Sequence, residues 1–165
     1  MVWSSLGKMK KILLAMLFAT VCNVGHAESE LDDLLKYAGI VDADYVYTDT
    51  KLAAEFFRLS TNQYAQSLPM NINSYIQIES AMMTPHFGNF EAIYTVPFDA
   101  TERKAVIQEL SSMEALQIAC IDYYIPNDFM LANNYTLVYS YSDQDYRPLA
   151  KVTMNIDSCY EALNQ

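Results

Sequence analysis

The alternation of apolar and polar positions changes character several times along the chain. Lys8, Lys10 and Lys11 precede an unbroken, mostly apolar run of ten residues, Ile12 to Val21, and Gly25-His26-Ala27 then brings small residues ahead of acidic Glu28. A positive start, a short apolar stretch and a small-residue exit predict a signal peptide over residues 1–27, removed after Ala27. The run is shorter than the roughly 20 apolar residues a membrane span needs, so no stable membrane anchor is expected. Cys22 follows the apolar run as a lipoprotein cysteine would, but Val21 before it is not small, which favours ordinary cleavage.

Beyond the leader, Glu28 to Ala38 carries Leu31, Leu34 and Leu35 on one side of a short helix that Gly39 would stop. An acidic, tyrosine-containing loop follows, Val41 to Tyr47. Leu52, Phe56, Leu59 and Tyr64 recur at spacings of three to five, predicting a helix from about Thr50 to Ser67 with Asp49 as its cap and Pro69 as its end. Ile72, Ile76, Ile78 and Met82 then alternate with polar residues, the period-two signature of a strand with one buried face. Turn chemistry over Pro85 to Asn89, with Gly88-Asn89 at the tip, predicts an antiparallel return through Phe90 to Val96.

After Pro97, Asp99 and Glu102 form a capping-box pair, and Val106, Leu110, Met113, Leu116 and Cys120 line one face of a third helix. Pro126 to Leu131 reads as a turn or single helical turn. Asn134 to Ser142 alternates again with Tyr135, Leu137, Tyr139 and Tyr141 on one face, Asp143-Gln144-Asp145 turns the chain, and Leu149 to Asp157 is the last strand. The order α-α-β-β-α-β-β predicts an α+β domain over residues 28–165: a four-stranded antiparallel sheet of two hairpins with helices packed on one face.

Charge and cysteines sharpen this picture. The chain holds ten Lys plus Arg against twenty Asp plus Glu. Three of the lysines lie in the leader, so the mature domain sets seven basic against twenty acidic residues, a net −13. Such a surface repels phosphate backbones and anionic membranes, which argues against nucleic-acid binding. The charge would attract basic protein partners, but keeping an exported domain soluble is its simpler use. Removing the leader discards Cys22 and leaves Cys120 and Cys159. An even pair in an exported protein predicts a disulfide, closing a loop of about 40 residues and stabilising the fold by ~4 kcal/mol in the chain-entropy model.

The candidate chemistry is sparse. His86, the one histidine after processing, reads as a turn residue and lacks the neighbours of a catalytic relay. Met82-Met83-Thr84-Pro85-His86 offers soft ligands, yet a strand would place the two methionines on opposite faces, and packing of Met82 in the core is the better reading. Asp42-x-Asp44 and Asp143-x-Asp145 are expected to form turns and lack the full ligand pattern of a calcium loop. No catalytic residue, metal site or cofactor is therefore expected. The tyrosines stand out instead. Tyr139 and Tyr141 share the Tyr135 face of one strand, and Tyr123, Tyr124 and Tyr146 lie in neighbouring segments. They are core if helices cover that face and an aromatic binding platform if it is open.

The helix ending in Leu68-Pro69, the strand after Asn71-Ile72, the Cys120 segment leading into Pro126–Leu131, the Asn134–Tyr141 strand and terminal Cys159 together resemble a family of small exported Gram-negative proteins, the quorum-sensing-regulated virulence factors. The resemblance covers most of the mature domain and implies an association with virulence. It brings no catalytic residues, and residues 28–47 run longer than the family pattern. The expectation is thus a non-catalytic interaction protein, periplasmic or secreted. The alternative is an acidic periplasmic inhibitor or immunity-type protein that neutralises a basic toxin or lytic enzyme.

Overall fold

The computed structural model describes residues 29–165, so the expected leader lies outside the described residues. Ser29 caps α1 (Glu30–Tyr37) by accepting the Asp32 N–H, and Asp49 caps α2 (Thr50–Ala65) through the N–H groups of Lys51 and Leu52. Three strands follow, β1 (Met70–Asn71), β2 (Ile76–Met83) and β3 (Phe87–Tyr94). Next come α3 (Ala100–Leu110), α4 (Met113–Ala119), a π-helical turn (Cys120–Tyr124) and α5 (Asp128–Ala132). The chain closes with β4 (Thr136–Ser142), β5 (Pro148–Met154) and α6 (Ile156–Leu163).

The α+β class holds, with corrections to its architecture. The sheet has five strands in the order β1-β2-β3-β4-β5. It is mixed: β2–β3 and β4–β5 are the two expected antiparallel hairpins, but β3 lies parallel to β4, with Phe87 opposite Thr136 and Ile93 opposite Ser142. Alternation along each strand specifies which face is buried and is silent on which strands of two hairpins become neighbours. The parallel join needs a long crossover, and residues 95–135 supply it. Ile76, Ile78, Ala92, Tyr94, Leu137, Tyr141, Val152 and Met154 meet residues of the helices in a single core, while Gln77, Glu91, Ser140 and Lys151 have the opposite parity.

Several local expectations shift by one register. Leu52 is 46% exposed and Leu59 is exposed too; the buried stripe of α2 is Ala53 and Phe57. Phe56 and Phe57 both satisfy a helical period, and the Phe57 ring takes the core position against Phe129 and Tyr135, with ring centroids 6.0 and 6.2 Å away. In β2, a bulge between Ile78 and Ser80 inserts one residue and inverts the faces beyond it. Met82 is consequently 49% exposed, and Met83 packs against the core instead. The hairpin turn is Thr84-Pro85-His86, closed by the Thr84 N–H donating to the Phe87 carbonyl at 2.8 Å. Gly88 is a strand residue, and a Cβ there would lie 2.7 Å from the Tyr135 hydroxyl, so glycine leaves room for the Tyr135 side chain.

The expected third helix is two. Ser112 breaks it, accepting the Ala115 N–H as the cap of α4 while its hydroxyl donates to the Glu109 carbonyl at 2.7 Å. Met113, at this break, is exposed rather than on the core face. The last strand is also shorter than expected: Asn155 caps a C-terminal helix through a reciprocal pair with Ser158. Cys159 therefore sits in α6, and its bond to Cys120 (S–S 2.03 Å, Cα–Cα 5.5 Å) ties the π-helical turn to α6, not the end of a helix to the end of a strand.

The acidic N-terminal segment is part of the fold. Leu35, Ile40 and Val41 are buried in the core. Buried Asp32 accepts the N–H groups of Asp128 and Phe129 at 2.7 and 3.1 Å, satisfying the start of α5 from a helix nearly a hundred residues earlier. Buried Asn133 accepts the Tyr47 N–H at 3.0 Å and donates to the carbonyls of Tyr45 and Phe129 at 2.7 and 2.8 Å.

Candidate functional site

Between the helix-covered face of the sheet and α3–α4 lies a cleft of about 280 Å³. Its floor comes from alternate residues of β2, β3, β4 and β5: Ile76 and Ile78, Ala92 and Tyr94, Tyr139 and Tyr141, and Val152. Its roof comes from Val106, Glu109 and Leu110 of α3, Ala115 and Ala119 of α4, and Tyr123 of the π-helical turn. Met70, Asn71 and Ile72 form its rim beside the edge strand. The space exists because alanines, Ala92 on the sheet and Ala115 and Ala119 on the helix, stand where a filled core would carry leucine or phenylalanine.

The π-helical turn serves this site. Its i to i+5 bond, from the Ile125 N–H to the Cys120 carbonyl at 2.9 Å, widens the helix by one residue. Adjacent tyrosines are thereby put to different uses. Tyr123 rests against Tyr139 (centroids 5.9 Å apart), and Tyr124 is fully buried, its hydroxyl donating to the Tyr135 carbonyl at 2.7 Å. The aromatic contacts run on as a ladder: Phe90 stacks on Tyr139 at 5.3 Å, Tyr139 on Tyr141 at 6.3 Å, and Tyr141 meets Tyr94 at 6.4 Å.

Burial raises the pKa of all four cleft tyrosines. At Tyr94 the Glu109 charge adds to burial, and at Tyr123 the neighbouring Tyr139 and Asp122 do. Burial likewise pushes Tyr124 up to about 12, aided by Asp157. The phenols therefore keep their protons throughout the ordinary pH range and present O–H groups and ring surfaces, never phenolates. Glu109 is the one charged side chain among the residues lining the cleft, which include no histidine, cysteine, serine or lysine. A carboxylate, four phenols and aliphatic walls can hold a ligand; they do not form a nucleophile–base pair.

Of the five tyrosines offered as a possible binding surface, Tyr123, Tyr139 and Tyr141 converge here, Tyr141 as a buried member of the core. Tyr124 is core. Tyr146 is 69% exposed, holds a positive φ of 59° in the β4–β5 turn and does not line the cleft. The missed members are Tyr94, Glu109 and the alanines. Tyr94 was legible as the residue in phase with Ala92 on its strand; Glu109 gave no signal, because its place depends on how α3 lies over the sheet.

His86 and the two Asp-x-Asp turns hold local structure. His86 Nδ1 donates to the Asn133 carbonyl at 2.9 Å, and its ring meets Tyr47 edge-on at 5.6 Å. Asp42 accepts the N–H groups of Asp44 and Val46, a turn held by its own side chain. Asp143 does the same for Asp145 and Arg147 and pairs with the guanidiniums of Arg103 (3.3 Å) and Arg147 (2.9 Å). Among the described residues, no three His, Cys, Asp or Glu side chains gather as metal ligands would, and no helix is long and apolar enough to cross a membrane.

No family model and no curated protein matches the chain. Solved structures offer a weak likeness. A Pseudomonas aeruginosa protein described as secreted is similar with a TM-score of 0.49 at 14% identity, over 67% of this chain and 95% of its own. The pilotin of the Vibrio vulnificus type 2 secretion system gives a TM-score of 0.46 at 13% identity, over 67% and 94%. The type II secretion system pilotin of Vibrio cholerae gives 0.45 at 13% identity, over the same shares. These similarities are too low for a fold family or a function to be carried over to this chain.

Proposed function

We propose that this chain is an exported, non-catalytic binding protein whose tyrosine-walled cleft receives side chains of a partner protein. One observation carries the reading: the cleft joins aliphatic walls to four phenols and a carboxylate and opens beside an exposed edge strand at Met70. Its volume of about 280 Å³ lies at the small end of ligand pockets, suited to one or two side chains of a larger partner. Tyrosines with an apolar body and a polar tip are the residues that recognition surfaces favour. Export is supported by the leader pattern and by the Cys120–Cys159 bond, which belongs to oxidising compartments. The resemblance in cysteine placement and segment order extends the proposal to a role in virulence.

A photo-crosslinking amino acid placed at Met70, on the rim, should trap a discrete protein in envelope or culture-supernatant extracts. The same probe at Tyr146, exposed but away from the cleft, should not. Equal labelling from both positions, or none from Met70, would overturn the reading.

A further inference from the structure

A second surface lies on the outer side of α6. One face of this helix is in the core through Cys159 and Ala162, yet Ile156, Tyr160 and Leu163 form another apolar stripe, at i, i+4 and i+7, and it is exposed. Tyr160 is 70% exposed. The stripe has a neighbour. Gln117 Nε2 donates to the Ala162 carbonyl at 2.6 Å, Cys120 is bonded to Cys159, and the Tyr124 hydroxyl lies beside the Ile156 backbone N–H. Rising numbers on one side meet falling numbers on the other, so α4 with its π-helical turn runs antiparallel to α6. Ile121, Ile125, Tyr160 and Leu163 each follow one of these contact residues by one position. A one-residue step turns a helix by about 100°, and in an antiparallel pair it turns both helices toward the same side. All four residues are exposed, Ile121 at 53%, and they line the seam between the two helices. Apolar side chains grouped in this way at a surface mark an interaction site.

The charges around the seam have one sign. Asp122 and Glu161, one residue further round on each helix, are exposed on its two outer flanks, and exposed Asp157 follows Ile156. From Ala105 to Tyr146 and from Val152 to Gln165 the sequence contains no lysine, arginine or histidine. A second copy of this chain would set these carboxylates against their equals, and an anionic membrane would be repelled. We propose that the seam between α4 and α6 docks an amphipathic helix of a partner protein, its apolar stripe against Ile121, Ile125, Tyr160 and Leu163 and its lysines or arginines beside Asp122 and Glu161. Two antiparallel helices offer ridges and a groove that a third helix can fill, and opposite charge along both flanks fixes its register. This surface is separate from the tyrosine-walled cleft and does not rest on it.

The test uses the purified protein and three helical peptides, titrated with amide chemical shifts as readout. The first carries a leucine stripe flanked by lysines, the second replaces its lysines by glutamates, and the third replaces its leucines by alanines. The leucine–lysine peptide should bind roughly tenfold tighter than the glutamate form, as a few exposed ion pairs would give, and tighter than the alanine form. Its shifts should concentrate at Ile121, Ile125, Tyr160 and Leu163. Tyr160→Ser should weaken it, whereas Tyr37→Ser, at an exposed tyrosine on α1, should leave it unchanged. Asp122→Asn combined with Glu161→Gln should bring the lysine and glutamate forms together. Equal binding of the leucine and alanine forms would reduce the attraction to bulk charge and overturn the proposal. Shifts outside the seam, binding of none of the peptides, or a dimer in sedimentation that Tyr160→Ser dissolves would overturn it too. None of these outcomes bears on crosslinking from Met70, so the cleft stands or falls on its own test.

Discussion

Asp32 and Asp143 are both buried carboxylates, and the balance of burial against hydrogen-bond donors falls in opposite directions for the two. For Asp32, burial outweighs the N–H groups of Phe129 and Asp128 and raises its pKa. For Asp143, burial also pushes upward, but the Arg147 N–H, the Arg103 guanidinium and the remaining donors prevail and lower it. A raised acid favours the fold most below its ordinary range, a benefit lost as pH climbs through the raised value; a lowered acid favours the fold above its ordinary range and loses that benefit as pH falls through the lowered value. Thermal melts against pH should therefore show the margin of wild type over Asp32→Asn shrinking with rising pH, and the margin over Asp143→Asn shrinking with falling pH. Parallel curves would show that neither group titrates as its surroundings require. At neutral pH, Asp32→Ala strands two donors at the start of α5 and should cost about 1–3 kcal/mol in a denaturant titration.

Elements in this protein are set by their ends and by single irregularities. Asp99 with Glu102, and Asn155 with Ser158, start helices through reciprocal caps, and both pairs lie close together in the chain. The Asp99 box was readable from the sequence. The Asn155 box was hidden because Met154 and Ile156 continue the alternation of β5, although Ile156 is already helical and exposed. The bulge after Ile78 misled in the same way, since a single extra residue exchanges Met82 for Met83 without altering the pattern that precedes it. Gly88→Ala belongs to this scale: its Cβ would meet the Tyr135 hydroxyl at 2.7 Å, so the change should lower stability by about 1–3 kcal/mol through overpacking. Thermal unfolding of the variant checks this, and an unchanged midpoint would mean that the Tyr135 and Leu137 side chains can shift at little cost.

For the molecule as a whole, the Cys120–Cys159 bond closes a separation of 39 residues around the second half of the sheet and holds α6 to the turn that delivers Tyr123. Reduction should cost ~4 kcal/mol of stability. Because the bond is rooted in that turn, reduction should also perturb Tyr123 amide and ring resonances before global unfolding; native-state spectra with and without reductant make the comparison. The Arg103–Asp143 pair, with the Arg103 guanidinium donating to the Pro148 carbonyl at 2.7 Å, fastens α3 to the β4–β5 turn and so sets how far the roof of the cleft stands from its floor.

Period and local composition determined the first two helices, the two hairpins, the buried parity of most strand positions and the pairing of two surviving cysteines, because each depends on neighbours a few residues away or on simple counting. Only the tertiary structure decided that β3 runs beside β4, that Phe57 rather than Leu52 faces inward, and that Asp32 starts a helix at Asp128. It also decided that Tyr123, Tyr139 and Tyr141 join Tyr94 and Glu109 around one cleft, while Tyr124 and Tyr146 stand apart. The reason is physical: a side-chain pattern states which face of an element avoids water, but which elements share that face, and how much space three alanines leave between them, is settled only when the elements pack.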